Sequence, residues 1–293
     1  MTSDSVHIER ILFPIDLSEE SHRAAPFVKE MAALFRSQIF VLQVIETPAT
    51  YYMPPDAAGW DAVGNIEDFC LSRKAEVESF IAGEFDGSPV TPDFAEGEPA
   101  RQIACHAREF KADMIMMPTH GYGTFRRFLL GSVTAKVLHD ADCPVWTAVH
   151  MKDCCKGLAD KPERIVCAVP KDGDATRVVR WANQFGKQLG ASVNYVQTFP
   201  YHGEVTGHTH GAHRDDVMER VKDQMAKLES EAGIPLQVEL REGAPELAVT
   251  AFAKEMNADL LIIGRGRIQR PLGRFVGHAY GIIRESRCPV ISI

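Results

Sequence analysis

The chain has 293 residues, of which 45% are hydrophobic, and its formal net charge is −8. This acidic balance argues against nucleic acid as the main partner, because binding a phosphate backbone requires clustered positive charge. No run of about 18 apolar residues occurs, so the sequence predicts no membrane span.

Cysteine usage indicates the compartment. The sequence contains 7 cysteines, an odd number at irregular spacing, which argues against a disulfide framework. The segment Met1 to Glu9 is polar and lacks the apolar core of a signal peptide. We therefore expect a reducing, cytoplasmic location.

Strand and helix patterns alternate along the first half. The predicted strands are Ile11–Ile15, Ile39–Ile45, Val90–Phe94, Met114–Met117 and Val145–Val149, and the predicted helices are Glu19–Phe35, Val63–Glu84, Pro99–Phe110 and Ser132–Ala141. Ser18 is a predicted N-cap of the first helix, and Pro26 is predicted to kink that helix or shift its start. Alternating elements of this kind predict an α/β fold with a doubly wound parallel sheet.

The sequence repeats itself in the second half. Arg10-Ile11-Leu12 is echoed by Arg164-Ile165-Val166, Ala112-Asp113 by Ala258-Asp259, and Cys143-Pro144-Val145 by Cys288-Pro289-Val290. The pairs keep the same order and nearly the same offset. The predicted organisation is therefore two copies of one domain, residues 1–150 and 164–293, joined by a polar linker at 151–163.

The segment from Thr119 to Ser132 has the features of a phosphate-binding loop. It follows a predicted buried strand, contains Gly121 and Gly131, and ends in Gly131-Ser132 at a predicted helix start. Glycines allow backbone N–H groups to approach phosphate oxygens, and a helix start adds unpaired donors. The loop therefore indicates a nucleotide ligand.

Asp16 directly follows the first strand and is expected to face this loop across the crevice where the strand order reverses. Its carboxylate has three candidate roles: a hydrogen-bond acceptor for a ribose or adenine, a ligand of a divalent metal, or simply part of the Asp-Leu-Ser helix start. Ser132 has a similar ambiguity, because a serine at this position is often only a cap.

At these residues the chain resembles the universal stress protein family as a tandem of two domains. The family's ATP-binding members carry a glycine, two residues, a second glycine, nine residues, and then Gly-Ser or Gly-Thr. Gly121, Gly131 and Ser132 match this pattern, and the flanking segment Leu129 to Val133 also matches the family, whereas Pro118 replaces the first glycine.

The resemblance implies a Rossmann-like five-stranded sheet of order 3-2-1-4-5, with domains paired through their last strands. It also implies ATP, with Mg²⁺, bound by Asp16 and by the phosphate loop, while backbone groups of Val44 read the adenine edge. A homodimer or an intrachain domain pair is the implied assembly.

The second half keeps the fold pattern but departs from the site pattern. Pro170 stands in place of Asp16, Arg267 in place of the second glycine, and His278 in place of the serine, although Gly264 and Gly277 remain. We therefore expect a degenerate domain without a nucleotide. Its arginines fit either an anion site or a solvated basic face: Arg265, Arg267, Arg270 and Arg274.

Four histidines form a cluster that belongs to the second half alone. His202, His208, His210 and His213 lie in a predicted glycine-bearing loop after that half's second strand. Neutral imidazoles suit zinc, nickel or copper. The alternatives are a metal site and a mobile loop that chelates weakly.

Catalytic patterns are lacking. The sequence has no G-x-x-x-x-G-K-[ST] motif and no G-x-S-x-G motif. The favoured function is therefore a regulatory, stress-response ATP-binding protein rather than an enzyme, with weak ATP hydrolysis left open. The alternative is a nucleotide-free interaction protein in which Pro118 has closed the pocket.

Overall fold

The computed structural model describes residues 5–46, 61–119, 130–148, 161–171, 173–199, 210–265 and 278–293, and for 61–67 and 210–218 it describes the backbone alone. The chain divides into two compact units, one of residues His7–Ala159 and the other of Asp160–Ile293 together with Met1–Val6. The main chain of Val6 is held by Gln188 of that second unit: its N–H donates to Oε1 at 3.1 Å, and its carbonyl accepts from Nε2 at 3.0 Å.

The first unit is an alternation of strands and helices. Its elements are β1 (Arg10–Ile15), α1 (Glu19–Phe35), β2 (Gln38–Ile45), α2 (Asp61–Glu84), β3 (Val90–Glu96), α3 (Pro99–Glu109), β4 (Met114–Pro118), α4 (Ser132–Asp140) and β5 (Val145–Ala148). The strands pair in parallel in the order β3-β2-β1-β4-β5. Right-handed crossovers place α1 and α2 on one face of this sheet and α3 and α4 on the other. The predicted α/β fold and strand order are confirmed.

The apolar core of this unit lies between the sheet and the helices. Phe13 of β1 is fully buried, and its ring centroid lies 6.3 Å from that of Phe80 and 6.0 Å from that of Phe85. On β5, Trp146 is buried against Phe27 of α1 at a centroid distance of 5.4 Å. The contacts of Phe13 fix α2 against β1, whose end forms part of the site described below, and the Trp146 contact fixes α1 against β5.

Helix α1 begins where the sequence predicts. The side chain of Ser18 caps it by accepting from the N–H of Ser21 at 3.3 Å. Pro26 lies inside the helix without shifting its start. Its ring lies on the exposed side, so the carbonyl of His22 that it leaves unpaired is on the side that water reaches.

The second unit repeats this organisation. Its elements are β6 (Arg164–Ala168), α5 (Ala175–Leu189), β7 (Ser192–Phe199), α6 (His210–Ala232), β8 (Val238–Glu242), α7 (Pro245–Glu255), β9 (Leu260–Ile263), α8 (His278–Glu285) and β10 (Val290–Ser292). The order β8-β7-β6-β9-β10 is equivalent to that of the first unit, and all of these pairs are parallel.

The repeated Ala-Asp pairs have a structural reason. Oδ2 of Asp113 accepts from the N–H of Arg10 at 2.9 Å, and Oδ2 of Asp259 accepts from the N–H of Arg164 at 2.9 Å. In each unit, therefore, an aspartate ahead of the fourth strand fixes the start of the first strand.

Candidate functional site

A cavity of about 470 Å³ opens at the carboxyl ends of β1, β2 and β4 in the first unit. The strand order reverses between β1 and β4, and ligands of doubly wound sheets bind at such a point. The volume lies within the usual range for small-molecule sites. Five of the six predicted site residues line this one cavity: Asp16, Val44, Gly131, Ser132 and Val133. The sixth, Gly121, lies outside the described residues.

Asp16 is held firmly at the β1–α1 turn. Its Oδ1 accepts from the N–H of Ser18 at 3.0 Å and from Oγ of Ser21 at 2.7 Å. Between these residues Leu17 adopts a left-handed backbone with φ of 63°, a conformation that favours glycine and that turns the chain sharply here. The helix-start role proposed for Asp16 is thus present, but it engages only Oδ1. Oδ2 makes no hydrogen bond to any described residue.

The start of α4 is fastened to the end of β4. The N–H of Gly131 donates to the carbonyl of Thr119 at 2.9 Å, and Oγ1 of Thr134 donates to the carbonyls of Pro118 and Thr119 at 3.2 and 3.3 Å. A Cβ on Gly131 would lie 2.8 Å from the Thr119 carbonyl oxygen. Only glycine fits this close approach.

These contacts leave the first turn of α4 open. Gly131 occupies the N-cap position without a side-chain cap, and the first turn holds no acidic residue. Within the described part of the chain, the N–H groups of Ser132 and Val133 have no acceptor. Unpaired donors at the positive end of a helix dipole form an anion site, and here they border the same cavity as Asp16.

Pro118 is the buried last residue of β4 and part of the cavity wall. The cavity remains open beside it, so its ring does not fill the space. The N–H of Thr119 points toward β5, where it meets the Ala148 carbonyl at 3.4 Å. Because N–H directions alternate along a parallel strand, the donor that Pro118 lacks would have pointed toward β1 and the crevice.

The end of β2 forms another part of the wall. Val44 is half-buried there, and its carbonyl accepts from Nε2 of Gln43 at 3.2 Å. Oε1 of Gln43 is buried and finds no partner among the described residues.

The part of the wall that α2 contributes was not predicted from the sequence. Phe69 and Arg73 of α2 border the cavity from the side opposite α4. Neither belongs to a motif, and they follow β2 by more than twenty positions in the chain. An aromatic residue and an arginine one helical turn apart were the only sequence indication.

Two segments, residues 7–148 and 162–293, match the model of the universal stress protein family. The chain belongs to this family. Because the two matches cover both halves, the predicted tandem arrangement of two universal stress protein domains is confirmed.

Individual universal stress proteins are similar to single halves of the chain. MJ0531 of Methanocaldococcus jannaschii is 28% identical over 137 residues, which make up 47% of this chain and 79% of that protein. MJ0577 of the same organism is 26% identical over 155 residues, covering 48% of this chain and 94% of that protein. The structure of a universal stress protein from Archaeoglobus fulgidus matches the whole fold, with a TM-score of 0.68, 23% identity, and coverage of 99% of this chain and 97% of that one.

The second universal stress protein domain has a different crevice. A Cβ on Gly264, at the end of β9, would lie only 2.6 Å from Cγ of Pro170. The proline ring after β6 therefore packs directly on the backbone of Gly264, where the first domain has Asp16 facing Pro118. No carboxylate is present at this position.

The first turn of α8 also differs from that of α4. Nδ1 of His278 lies 3.1 Å from Oε2 of Glu246. The backbone N–H of Glu246 donates a hydrogen bond to the carboxylate of the same residue. This bond, together with the His278 contact, holds the pKa of the Glu246 carboxyl below its ordinary value, although burial acts to raise that pKa. A carboxylate thus already lies beside the first residue of α8 and would repel a phosphate.

The predicted histidine loop is partly wrong. His210 and His213 belong to α6, which begins at His210, because a glycine such as Gly211 is tolerated in the first turn of a helix. His202 and His208 lie outside the described residues. Among the residues that the structure describes, no group of three or more histidine, cysteine or acidic side chains is placed to hold a metal.

No described helix combines the length and the apolar character required to cross a bilayer.

Proposed function

We propose that the first domain binds ATP with Mg²⁺ and that this protein is a regulatory, stress-response nucleotide-binding protein. The observation that carries the proposal is the open first turn of α4, where the N–H groups of Ser132 and Val133 border the same cavity as Asp16. Such donors suit the oxygens of a polyphosphate.

The remaining wall residues fit the other parts of the nucleotide. Oδ2 of Asp16 has no described partner and is suited to a ribose hydroxyl, to the adenine amine or to Mg²⁺. The family resemblance assigns the adenine edge to the backbone of Val44 and adds Gly121 to the phosphate loop. Bound Mg²⁺ would neutralise part of the phosphate charge.

The residues favour holding ATP over transferring its phosphate. Phosphoryl transfer requires cationic groups that stabilise the charge on the transferring phosphate. Of the wall residues that the structure describes, only Arg73 is cationic, and it lies on the side away from α4. We therefore propose a binding protein rather than an enzyme.

The second domain is proposed to act without a nucleotide, as a pairing or sensing partner. Pro170 packed on Gly264 and the Glu246 carboxylate at α8 support this division. Assembly as a homodimer or an intrachain pair and a cytoplasmic location remain part of the proposal, the latter on the cysteine usage of the sequence.

Calorimetric titration of the full chain with ATP and Mg²⁺ tests the proposal, and one site per chain is expected. Ser132→Ala removes the hydroxyl proposed to bond a charged phosphate and should cost about 1.5–3 kcal/mol of binding free energy. His278→Ala is the matched control, because it changes the equivalent helix start in the second domain and should leave ATP affinity unaltered. Two equivalent sites would refute the division of labour between the domains.

The nucleotide-free interaction protein is the competing function. Two observations favour it: Pro118 contributes no N–H, and the N–H of Gly131 is already bonded to Thr119. A full-length chain that binds no ATP in the titration, and that carries no nucleotide by mass spectrometry after purification, would establish this alternative in place of ours.

A further inference from the structure

Phe69 is a large apolar residue that is exposed to solvent inside the cavity. Among the described residues only a few large apolar side chains are strongly exposed, and they are Leu34, Phe69, Leu71 and Leu247. Of these, Phe69 alone lines the cavity, with 41% of its surface exposed. An aromatic ring left open inside a ligand-sized cavity can gain a large contact area when a flat ligand covers it.

The ring of Phe69 is supported from its own helix. Cζ of Arg73, one turn further along α2, lies 5.3 Å from the ring centroid. Nη1 of Arg73 in turn donates to Oε2 of Glu76 at 2.8 Å. A guanidinium held over one face of the ring in this way is a cation–π contact. Phe69 makes no contact with another aromatic ring of the described chain, and the 41% of its surface that is exposed leaves room for a ligand to cover it.

The position of the ring matches the expected direction of a bound nucleotide. The open donors of α4 lie on one face of the sheet, whereas α2 lies on the other, and the cavity passes between them over the ends of β1 and β4. Phosphates at Ser132 and Val133 would direct the base past Asp16 toward Phe69. There the base would meet Val44 with its edge and Phe69 with its face.

We infer that Phe69, supported by Arg73, is the stacking surface for the base of the nucleotide and makes the site selective for a purine. This inference rests on the proposed function. Stacking needs a π face, which every base has, but a two-ring purine covers more of the phenyl ring than a one-ring pyrimidine does. The site should therefore prefer ATP to CTP, although the phosphate contacts are identical.

Calorimetry on the full chain tests this with three ligands: ATP, CTP and inorganic tripolyphosphate, which probes the phosphate contacts alone. Phe69→Ala should weaken ATP binding by about 5- to 150-fold, weaken CTP binding less, and leave tripolyphosphate binding unchanged. Phe69→Tyr keeps the aromatic face and should retain most of the ATP affinity. The matched control is Leu71→Ala, which removes a more exposed side chain of the same helix that does not line the cavity.

The outcomes separate the two proposals. Wild-type protein that binds ATP, together with a Phe69→Ala variant that binds it as well as Leu71→Ala does, would overturn the stacking surface and leave the ATP site standing. Equal losses for ATP and tripolyphosphate would show that Phe69 supports the fold and not the base. Wild-type protein that binds no ATP would refute the proposed function and the stacking surface with it.

Discussion

At Gly131 the absence of a side chain is a steric requirement of the loop. A Cβ would lie 2.8 Å from the Thr119 carbonyl oxygen, a backbone atom that cannot rotate away. Gly131→Ala should therefore displace the start of α4 and lower both ATP affinity and stability, the latter by about 1–3 kcal/mol. Denaturant unfolding and calorimetry measure the two effects.

Gly83 provides a control of opposite sign. It lies near the end of α2, where a Cβ would meet nothing within 4 Å. Gly83→Ala should raise stability by about 0.5–1 kcal/mol through the higher helix propensity of alanine, without changing ATP binding.

Gly131→Val should lower ATP affinity and stability more severely than Gly131→Ala. Unchanged affinity in both Gly131 variants would place the nucleotide elsewhere.

Pro118 is the residue at which the chain departs from its family pattern, and the departure can be reversed. Pro118→Gly restores an N–H directed toward the crevice, so ATP binding should tighten by about 2- to 12-fold, the equivalent of one additional hydrogen bond. The same change should cost about 0.4–1 kcal/mol of stability, because the unfolded chain gains freedom. Weaker ATP binding in this variant would show that the proline ring itself contacts the ligand.

At the scale of elements, the regular part of the fold was predictable from local patterns. Helix α1 has the predicted bounds, and the predicted strand Met114–Met117 is extended only by Pro118. Both follow from strong local rules: a Ser18 cap followed by two glutamates, and a run that is apolar on both faces. The predicted loop at His210 and His213 was wrong, because the glycines near His210 resembled a loop although α6 includes both histidines.

The site was predictable only where a motif lies on one contiguous segment. Gly131-Ser132 at a helix start and Asp16 after a strand are local patterns, and the cavity brings them together. Phe69 reaches the cavity through the packing of α2 on α1 and the sheet, which no local spacing encodes. The hydrogen bond from the Gly131 N–H to the Thr119 carbonyl could not be predicted either, because it depends on two chain segments lying close together in three dimensions.

The first turn of α4 offers a test in which stability and binding should move in opposite directions. Ser132→Asp places a carboxylate at the positive end of the helix, where no acidic residue is present, and should stabilise the free protein by about 0.3–1 kcal/mol. The same charge should repel the phosphates and weaken ATP binding. Ser132→Asn, which is similar in shape but neutral, is the control. If Ser132→Asp bound ATP as tightly as Ser132→Asn, the phosphates would not lie at this helix start.

At the scale of the whole molecule, the two domains share one fold but differ in the residues at the carboxyl ends of their strands. In the first domain a carboxylate faces a proline across an open crevice, and in the second a proline packs on a glycine. The apolar strands are retained in both, as the buried runs Met114–Pro118 and Leu260–Ile263 show. The second domain thus keeps its core, while Pro170 takes the place that Asp16 has in the first domain.

This asymmetry predicts a local pattern of hydrogen exchange in the full chain. With ATP at about one hundred times its dissociation constant, binding stabilises the occupied site by roughly 2.7 kcal/mol, which slows exchange there about 100-fold. The N–H groups of Ser132 and Val133, for which the described residues provide no acceptor, should show this slowing when phosphate oxygens accept from them. The corresponding groups of His278 and Ala279 in α8 should exchange as before. Because first-turn amides exchange without global unfolding, the comparison holds even if both domains unfold together. Equal slowing at α4 and α8, measured by mass spectrometry of peptides from the two helices, would contradict a single site in the first domain.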